Sequence, residues 1–383
     1  MKNPSNSGNK RKNQLPFKIM ASTPLDFESV RIYLYGYLWT ALTTLGIDIF
    51  PTHKQKASSR VIYIMKKCFF PGLFFLNFLQ CFIRTWLSSQ LDSYVIIMDI
   101  TLHINPVCLW ISVFYHRLAI QEFITRLAIT TKIAVGFGKN IKRAININLL
   151  IQFVYVLLQA CLLWYNFGDE NEYSALTIFK NFSLLFHDNS LSIVITTAYC
   201  SICCIFVHLL KNCEKTAKQL VAQPSSAILT HLLTEYYDIL KNIENFQNTF
   251  STCTFFCMMQ SILSLSFDMM HWVSGKKIGA SAMLQAVIFL FHSCWLVLSL
   301  TICAGEIPLE MRRVKGIFVN ANPEYLKCMK DIHFKTLVDL IQRKKVPVLS
   351  SCNIMVFDRA FILKIFGILS AQTVIFYQLI TGN

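Results

Sequence analysis

The sequence predicts an all-α membrane protein with seven transmembrane helices. The chain of 383 residues is 54% hydrophobic and only 15% charged, whereas about a quarter of the residues in an average soluble domain are charged. Apolar stretches of about 20 residues, each long enough to cross a hydrocarbon layer of about 30 Å, recur along the whole length. They lack the two-residue alternation of a membrane barrel strand, so helices are the predicted spanning elements.

The first region, residues 1–60, is predicted to be a cytosolic tail followed by a partial membrane helix. Residues 1–20 are polar and basic and have no apolar core like that of a cleaved signal peptide. Residues 29–50 are aromatic and mostly apolar up to Pro51. This segment either spans the membrane or enters it only partly, so it precedes the first clear span.

Seven clearer apolar segments define the remaining organisation. Residues 61–304 hold the first six spans, with an intracellular helical extension at 208–250. Residues 305–356 form an intracellular anchor segment, and residues 357–383 carry the last helix. The predicted spans are 61–87, 94–115, 145–167, 191–210, 251–273, 280–304 and 357–380.

The distribution of lysine and arginine predicts the orientation. With a cytosolic N-terminus, the inner segments 1–60, 116–143, 208–247 and 305–356 hold nine, six, four and nine basic residues. The outer loops hold only Arg84, Lys180, Lys276 and Lys277. Cytoplasmic loops of membrane proteins carry such an excess of basic residues. The N-terminus is therefore expected inside, and seven spans place the C-terminus outside.

The predicted outer loop at 168–187 supports this orientation. It carries Asp169, Glu170 and Glu172, and its Asn181-Phe182-Ser183 sequence is a glycosylation site usable only on the outer face. The net charge of +15 thus reflects the loop topology, and no nucleic-acid partner is expected.

Two inner segments have the apolar spacing of amphipathic helices. In 229–250 the apolar residues recur at helical intervals, and 325–341 shows a weaker version of the same pattern. We expect the two helices to pack together and against neighbouring subunits. The alternative is a helix that lies on the inner leaflet.

The cysteines indicate packing and no cofactor or metal site. The chain has 14 cysteines, mostly scattered within apolar segments and without a disulfide spacing. Cys200, Cys203 and Cys204 lie near His208, but a structural zinc site needs four converging nitrogen or sulfur ligands. Buried free cysteine behaves as a small apolar residue, and that is the predicted role here.

Polar side chains within the predicted spans are the candidate ligand-binding residues. A small-molecule pocket needs a few fixed polar groups on aromatic walls, although each such residue is also a common helix-to-helix hydrogen-bonding partner. We expect Asp99 or Asp268 to meet the ligand or its ammonium group, because an unpaired carboxylate in lipid is costly. The candidates are Asp99, His103, Gln159, Trp164, Tyr165, Thr196, Asp268, Gln285 and His292.

The last helix carries a family resemblance. Cys352, the Phe357-Asp358-Arg359 start, Gly367 and the final Gln378-Leu379 resemble the terminal pattern of insect gustatory receptors. The Thr-Tyr pair of that pattern falls on Ala371-Gln372 and is lost. The number of spans, the orientation and the chain length agree with this family along the whole chain.

The resemblance implies a tastant-gated, non-selective cation channel in the plasma membrane of sensory neurons. Such channels are homotetramers or heterotetramers in membrane lipid, with the last helix of each subunit around one axis. The gate would lie at Gln378 and Leu379, with Ile375 beside it. A ring of leucine side chains can close a pore by dewetting, and amide groups give weak cation selectivity. Lys364 is expected to reach the inner interface.

Other classes of protein fit less well. A subunit of the related insect olfactory receptors, which needs a co-receptor, remains the main alternative. A G-protein-coupled receptor would put most basic residues on the wrong face of the membrane. A transporter would show repeated halves or broken helices, and the sequence has none of the common hydrolase, phosphate-loop or metalloprotease motifs of enzymes.

Overall fold

A computed structural model describes most of the chain beyond the N-terminal region. The described residues are 93–133, 139–168, 175–222, 226–273, 280–320 and 345–381, together with Arg343 and parts of 40–49 and 69–87. The predicted first span at 61–87, the N-terminal tail and the amphipathic segment at 325–341 therefore lie wholly or largely outside the described residues.

Six long helices and one short hairpin build the described fold, which confirms the predicted all-helical class. The helices are α1 (Ser93–Ile133), α2 (Lys139–Gly168), α3 (Ala175–Ala222), α4 (Ser226–Val273), α5 (Ala280–Asn320) and α6 (Arg359–Thr381). The hairpin pairs β1 (Ser350–Ser351) with β2 (Met355–Val356) in antiparallel register. Each of the last six predicted spans falls on one of these helices, in the predicted order.

Four of the described helices are long and apolar enough to cross a membrane by length and composition. The four stretches are Ile100–Ala128, Asn189–Leu220, Ala227–Met270 and Met283–Ile317, and a shorter apolar stretch at Asn146–Leu162 lies on α2. The total of seven spans stays a prediction.

The helices extend well past the predicted spans. α3 and α4 each have 48 residues, which at 1.5 Å per residue gives about 70 Å, more than twice the hydrocarbon thickness. Most of the predicted inner loop at 116–143 is part of α1, and residues 305–320 continue α5. The basic residues of these segments therefore lie on helices that project beyond the membrane.

The predicted outer loop at 168–187 is wrong in its extent, because α3 already begins at Ala175. Residues 175–187 contain neither glycine nor proline, and their apolar residues recur at three- and four-residue intervals, so nothing in them ends a helix. Asn181 accordingly lies on the first part of α3, where its side chain is outside the described residues.

The amphipathic stripe in 229–250 is part of α4 and is buried within the same chain. Leu232, Leu233, Ile243 and Phe246 are fully buried, and α4 packs against α1 and α3. The stripe thus packs against α1 and α3 of its own chain, which does not fit the alternative of a helix lying on the inner leaflet. Packing against the second amphipathic segment, which lies outside the described residues, and against neighbouring subunits stays a prediction.

An aromatic cluster joins four helices at the centre of this packing. The ring of Phe246 on α4 lies 4.7 Å from Tyr199 of α3 and 5.6 Å from Phe123 of α1, between ring centroids. The ring of Tyr199 in turn lies 6.2 Å from that of Phe357, which is in the short segment between the β-hairpin and α6. Such aromatic pairs each contribute about 0.5–1.5 kcal/mol beyond their buried area. The cluster therefore fixes the start of α6 to the core.

Part of the predicted partial helix also enters the core. Residues 40–43 are helical, and the backbone then turns at Leu45 and Gly46, where Gly46 has a φ of 81°. Leu42 and Ile47 are buried, and the indole of Trp110 on α1 donates a hydrogen bond to the carbonyl of Leu45 at 3.0 Å. This segment therefore packs against α1.

The β-hairpin before α6 is held by two polar residues of α4. The amide of Gln247 donates to the carbonyl and hydroxyl oxygens of Ser350, and its oxygen accepts from the Ser350 backbone N–H at 2.9 Å. Ser251 accepts from the Cys352 N–H at 2.7 Å. These bonds support a turn in which Cys352 and Asn353 have φ values of 51° and 57°, a conformation that costs a non-glycine residue about 1 kcal/mol or more.

The first turn of α6 is capped and anchored. The carboxylate of Asp358 accepts a hydrogen bond from the N–H of Phe361 at 2.7 Å, which is the usual N-cap arrangement. Arg359 forms an ion pair with Glu306 of α5 at 3.1 Å. Arg359 therefore links the first turn of α6 to α5.

Replacing Gln247 should loosen the base of α6. Gln247→Ala removes all three of these bonds and leaves polar groups of Ser350 without their partner, so we expect a loss of about 1–3 kcal/mol in the free energy of unfolding. Thermal unfolding of the purified protein measures it. Asn248→Ala is the matched control, because Asn248 is the neighbouring residue and is exposed. Equal stability of the two variants would contradict the proposed support.

Candidate ligand and pore sites

One face of α2 carries a stripe of polar side chains into the bundle. Asn148, Gln152, Tyr155 and Gln159 follow one another at four-, three- and four-residue intervals, so they share one helix face. Gln152, Tyr155 and Gln159 are buried. Leu150, Phe153, Leu157 and other apolar residues of α2 are exposed. The helix thus turns its polar side toward α3 and α5 and its apolar side outward, as expected in lipid.

Asn148, at one end of the stripe, is hydrogen-bonded to both neighbouring helices. Its amide N–H donates to the hydroxyl of Thr197 on α3 at 3.4 Å, and its oxygen accepts from the indole of Trp295 on α5 at 2.9 Å. This amide therefore links α2 to α3 and α5, which is the structural role that buried amides commonly have in membrane bundles.

Gln152 and Gln159 lack such links. Within the described part of the chain, neither amide nitrogen nor amide oxygen of these two residues has a hydrogen-bond partner, although the side chains are only 2% and 0% exposed. An unmade buried hydrogen bond costs about 1–3 kcal/mol. Two whole amides in this state provide donors and acceptors that a small molecule or water can satisfy.

His292 brings an aromatic wall to the same face of α2. Its ring stacks on that of Tyr155 with centroids 3.6 Å apart and an interplanar angle of 7°. Phe289, one turn earlier on α5, lies 6.1 Å from Tyr155. The Nε2 atom of His292 has no partner among the described residues. Sequence reasoning selected Gln159 and His292, and Tyr155 is the residue that connects their helices.

The other candidates lie on separate elements. Thr196 on α3 is fully buried and lies beside Ser192 and the thiol of Cys257 of α4. Asp268 on α4 has one carboxylate oxygen without a partner in the described residues. His103 on α1 and Gln285 on α5 are half-buried. The side chains of Asp99 on α1 and of Trp164 and Tyr165 on α2 are outside the described residues.

α6 has one packed face and one open face. Phe361, Ile365 and Leu369 are buried against the rest of the chain, and α6 packs on α4 and α5. Further along, the hydroxyl of Ser266 on α4 donates to the amide oxygen of Gln372 at 2.9 Å. The opposite face is exposed and includes Leu363, Gly367, Ser370, Val374 and Gln378, with exposed Phe366 and Tyr377 beside it.

The predicted gate residues lie at the C-terminal end of α6. Gln378 is exposed and on the open face. Ile375 is 53% exposed at the edge of that face. Leu379 lies on the helix, and its side chain is outside the described residues. Lys364, near the other end of α6, is also exposed.

A cavity of about 410 Å³ lies beside the polar stripe and contains none of the predicted ligand-binding residues. Asn148 of α2, Cys200 and Ser201 of α3, and Trp295 and Ser299 of α5 contribute to its wall. The thiol of Cys303 lies within hydrogen-bond reach of the thiols of Cys200 and Cys204. These cysteines pack against each other at the cavity.

The described helices have the same fold as a solved insect olfactory receptor. The chain is similar to the solved structure of the insect olfactory receptor OR5 from Machilis hrabei in complex with eugenol, with a TM-score of 0.70 and 13% identity over 93% of this chain and 100% of that one. A second structure of the same receptor gives a TM-score of 0.67 and 12% identity over the same shares. No protein-family model and no curated protein matches the sequence.

Sequence reasoning missed Asn148, Gln152 and Tyr155, although a signal was present. Each of these residues, considered alone, gives no indication of a site. Together with Gln159, however, they recur at helical spacing and so define one polar face on an otherwise apolar helix. A search for polar residues at helical intervals within apolar segments would have found the stripe.

Two substitutions on the stripe should have opposite effects on stability. Gln159→Leu replaces an unpartnered amide by an apolar group of similar size, so the melting temperature should stay unchanged or rise. Asn148→Leu leaves the Trp295 indole without its acceptor and should cost about 1–3 kcal/mol. Thermal unfolding of the two purified variants tests this contrast. A marked loss of stability in Gln159→Leu would show that its amide is satisfied structurally.

Proposed function

We propose that this chain is a gustatory chemoreceptor subunit that forms a tastant-gated, non-selective cation channel. The observation that carries the proposal is α6, which is fixed along one face and open along the other. In a symmetric assembly, copies of the open face around one axis would enclose an ion path. Four copies of Gln378 would then ring that path, with Ile375 and Leu379 at the gate.

The similarity to a chemoreceptor fold supports a small-molecule ligand. The solved receptor that this chain resembles has been determined in complex with eugenol. In this chain the buried amides of Gln152 and Gln159 and the stacked Tyr155 and His292 offer hydrogen-bonding groups and an aromatic wall, as ligand pockets do. We place the pocket there, with the remaining candidates Asp99, His103, Trp164, Tyr165, Thr196, Asp268 and Gln285 on the surrounding helices.

We assign one role to each consecutive region of the chain. Residues 1–60 are a cytosolic tail and partial membrane helix, and residues 61–304 hold the pocket. The extension at 208–250 and the segment 305–356 form the intracellular anchor, and 357–383 the pore-lining helix. Homomeric or heteromeric tetramers in the plasma membrane of sensory neurons are the proposed assembly, with Asn181 as a glycosylation site.

An olfactory receptor subunit is the second candidate, because both solved structures reported above are olfactory receptors. The two candidates differ in what the chain needs in order to respond. A gustatory channel of one chain type responds when expressed alone, whereas an olfactory subunit of the type considered needs a co-receptor chain.

Recording from cells that express only this chain tests the proposal. We expect one class in a panel of sugars, alkaloids and volatile phenols to evoke a calcium signal and an inward current that reverses near zero potential. Gln378→Glu should raise the permeability to Ca²⁺ relative to Na⁺, because a ring of carboxylates attracts divalent cations.

The control for this experiment is Asn248→Asp, which adds the same charge on an exposed site of α4, outside the proposed gate on α6. It should leave the relative permeability unchanged. A current that appears only with a second receptor chain would favour the olfactory alternative. Uptake of ligand without any current would contradict a channel.

A further inference from the structure

The residues that line the cavity beside Asn148 lie at a similar depth in the predicted membrane on all three helices. Asn148 is close to the start of the predicted span 145–167 of α2. Cys204 and Cys303 are close to the ends of the predicted spans on α3 and α5. Because α2 is predicted to run outward and the other two inward, all three positions fall in the half of the membrane nearer the cytosol.

A charged layer marks the inner membrane boundary next to this cavity. Glu310 of α5 pairs with Arg313 at 2.7 Å and with Lys211 of α3 at 3.8 Å. Both Lys211 and Glu310 follow the cavity residues Cys204 and Cys303 by two helical turns, which is about 10 Å. Half of the hydrocarbon layer is about 15 Å. The cavity therefore lies at the depth of the inner-leaflet acyl chains.

The wall of the cavity is uncharged and opens toward lipid. Its lining residues include no acidic or basic side chain, and two of them, Ile147 and Ile302, are 47% and 54% exposed. A molecule dissolved in the inner leaflet can thus reach the cavity between α2 and α5 without passing through water. A charged lipid headgroup would find no counter-ion there and would have to leave the interface at a large cost.

Asn148 offers this occupant one hydrogen-bonding position. A side-chain amide has two N–H donors and two acceptor lone pairs, and the bonds to Thr197 and Trp295 use one of each. One donor and one acceptor lone pair remain on this residue, which lines the cavity. The indole of Trp295 and the polarisable thiols of Cys200, Cys204 and Cys303 supply the apolar remainder of the wall.

We propose that this cavity is a second small-molecule site, which takes an uncharged, membrane-dissolved amphiphile with a single hydroxyl or carbonyl group. Its volume of about 410 Å³ is within the usual range for ligand pockets. None of its lining residues belongs to the pocket proposed at Gln152, Tyr155, Gln159 and His292, and Asn148 and Trp295 lie about one helical turn nearer the inner boundary than Gln152 and His292. Ligands of this site enter from the lipid, whereas a tastant enters from outside.

Quenching of tryptophan fluorescence in the reconstituted full-length protein tests the proposal. The probe is an undecanol brominated close to its hydroxyl group. A hydroxyl bound at Asn148 then brings the bromine near the indole of Trp295, and bromine quenches an indole on contact. We expect a saturable component of quenching that unbrominated undecanol competes away. The brominated undecanoate, which differs only by its charge, should bind at least about tenfold more weakly, since no basic group lines the site.

Two variants locate the binding. Trp295→Phe should abolish the saturable component, and the matched control Trp110→Phe on α1 should retain it. Ser299→Phe narrows the cavity and keeps Trp295 as the reporter, so it should weaken saturation at least about tenfold. Quenching that rises linearly with the probe in the unmodified protein, or saturation that survives Trp295→Phe, would overturn the proposal. The readout needs no current, so its result is independent of the proposed channel function.

Discussion

The fold depends on the junction at which α6 joins α4. There the ring centroid of Tyr199 lies 4.7 Å from that of Phe246 and 6.2 Å from that of Phe357. Gln247 and Ser251 hold the hairpin that precedes the helix. The N-cap by Asp358 completes the attachment. With its start fixed in this way, α6 presents one face to its own chain, and the other face is exposed.

A second constraint is the placement of polar groups inside an apolar bundle. Asn148 is satisfied and links three helices, whereas Gln152 and Gln159 on the same face have no partner among the described residues. Stability alone would favour apolar side chains at those two positions. The hydrogen bond between Ser266 and Gln372 links α4 to the second half of α6, and it gives a direct contact through which a displacement of α4 would reach α6.

The helical class, the order of the helices and the buried stripe of 229–250 could be predicted from the sequence, because hydrophobic length and period are local properties. The extent of the loops could not, since nothing in 175–190 forces a helix to end or requires it to continue. The contacts of Gln247 with Ser350 were also inaccessible, because they join residues 103 positions apart. The polar face of α2 could also have been predicted from the helical spacing of its polar residues. Considered alone, however, Gln152 cannot be told apart from an isolated buried amide.

Cysteine substitution along α6 tests the central claim most directly. Ser370, Val374 and Gln378 on the open face, and Ile365 and Leu369 on the packed face, are replaced singly and exposed to a charged, water-soluble thiol reagent during ligand-evoked current. The account predicts that the reagent blocks the current only in the three open-face variants and leaves the unmodified protein unaffected. Block in the packed-face variants with no effect on the open-face variants would show that α6 turns a different side to the ions.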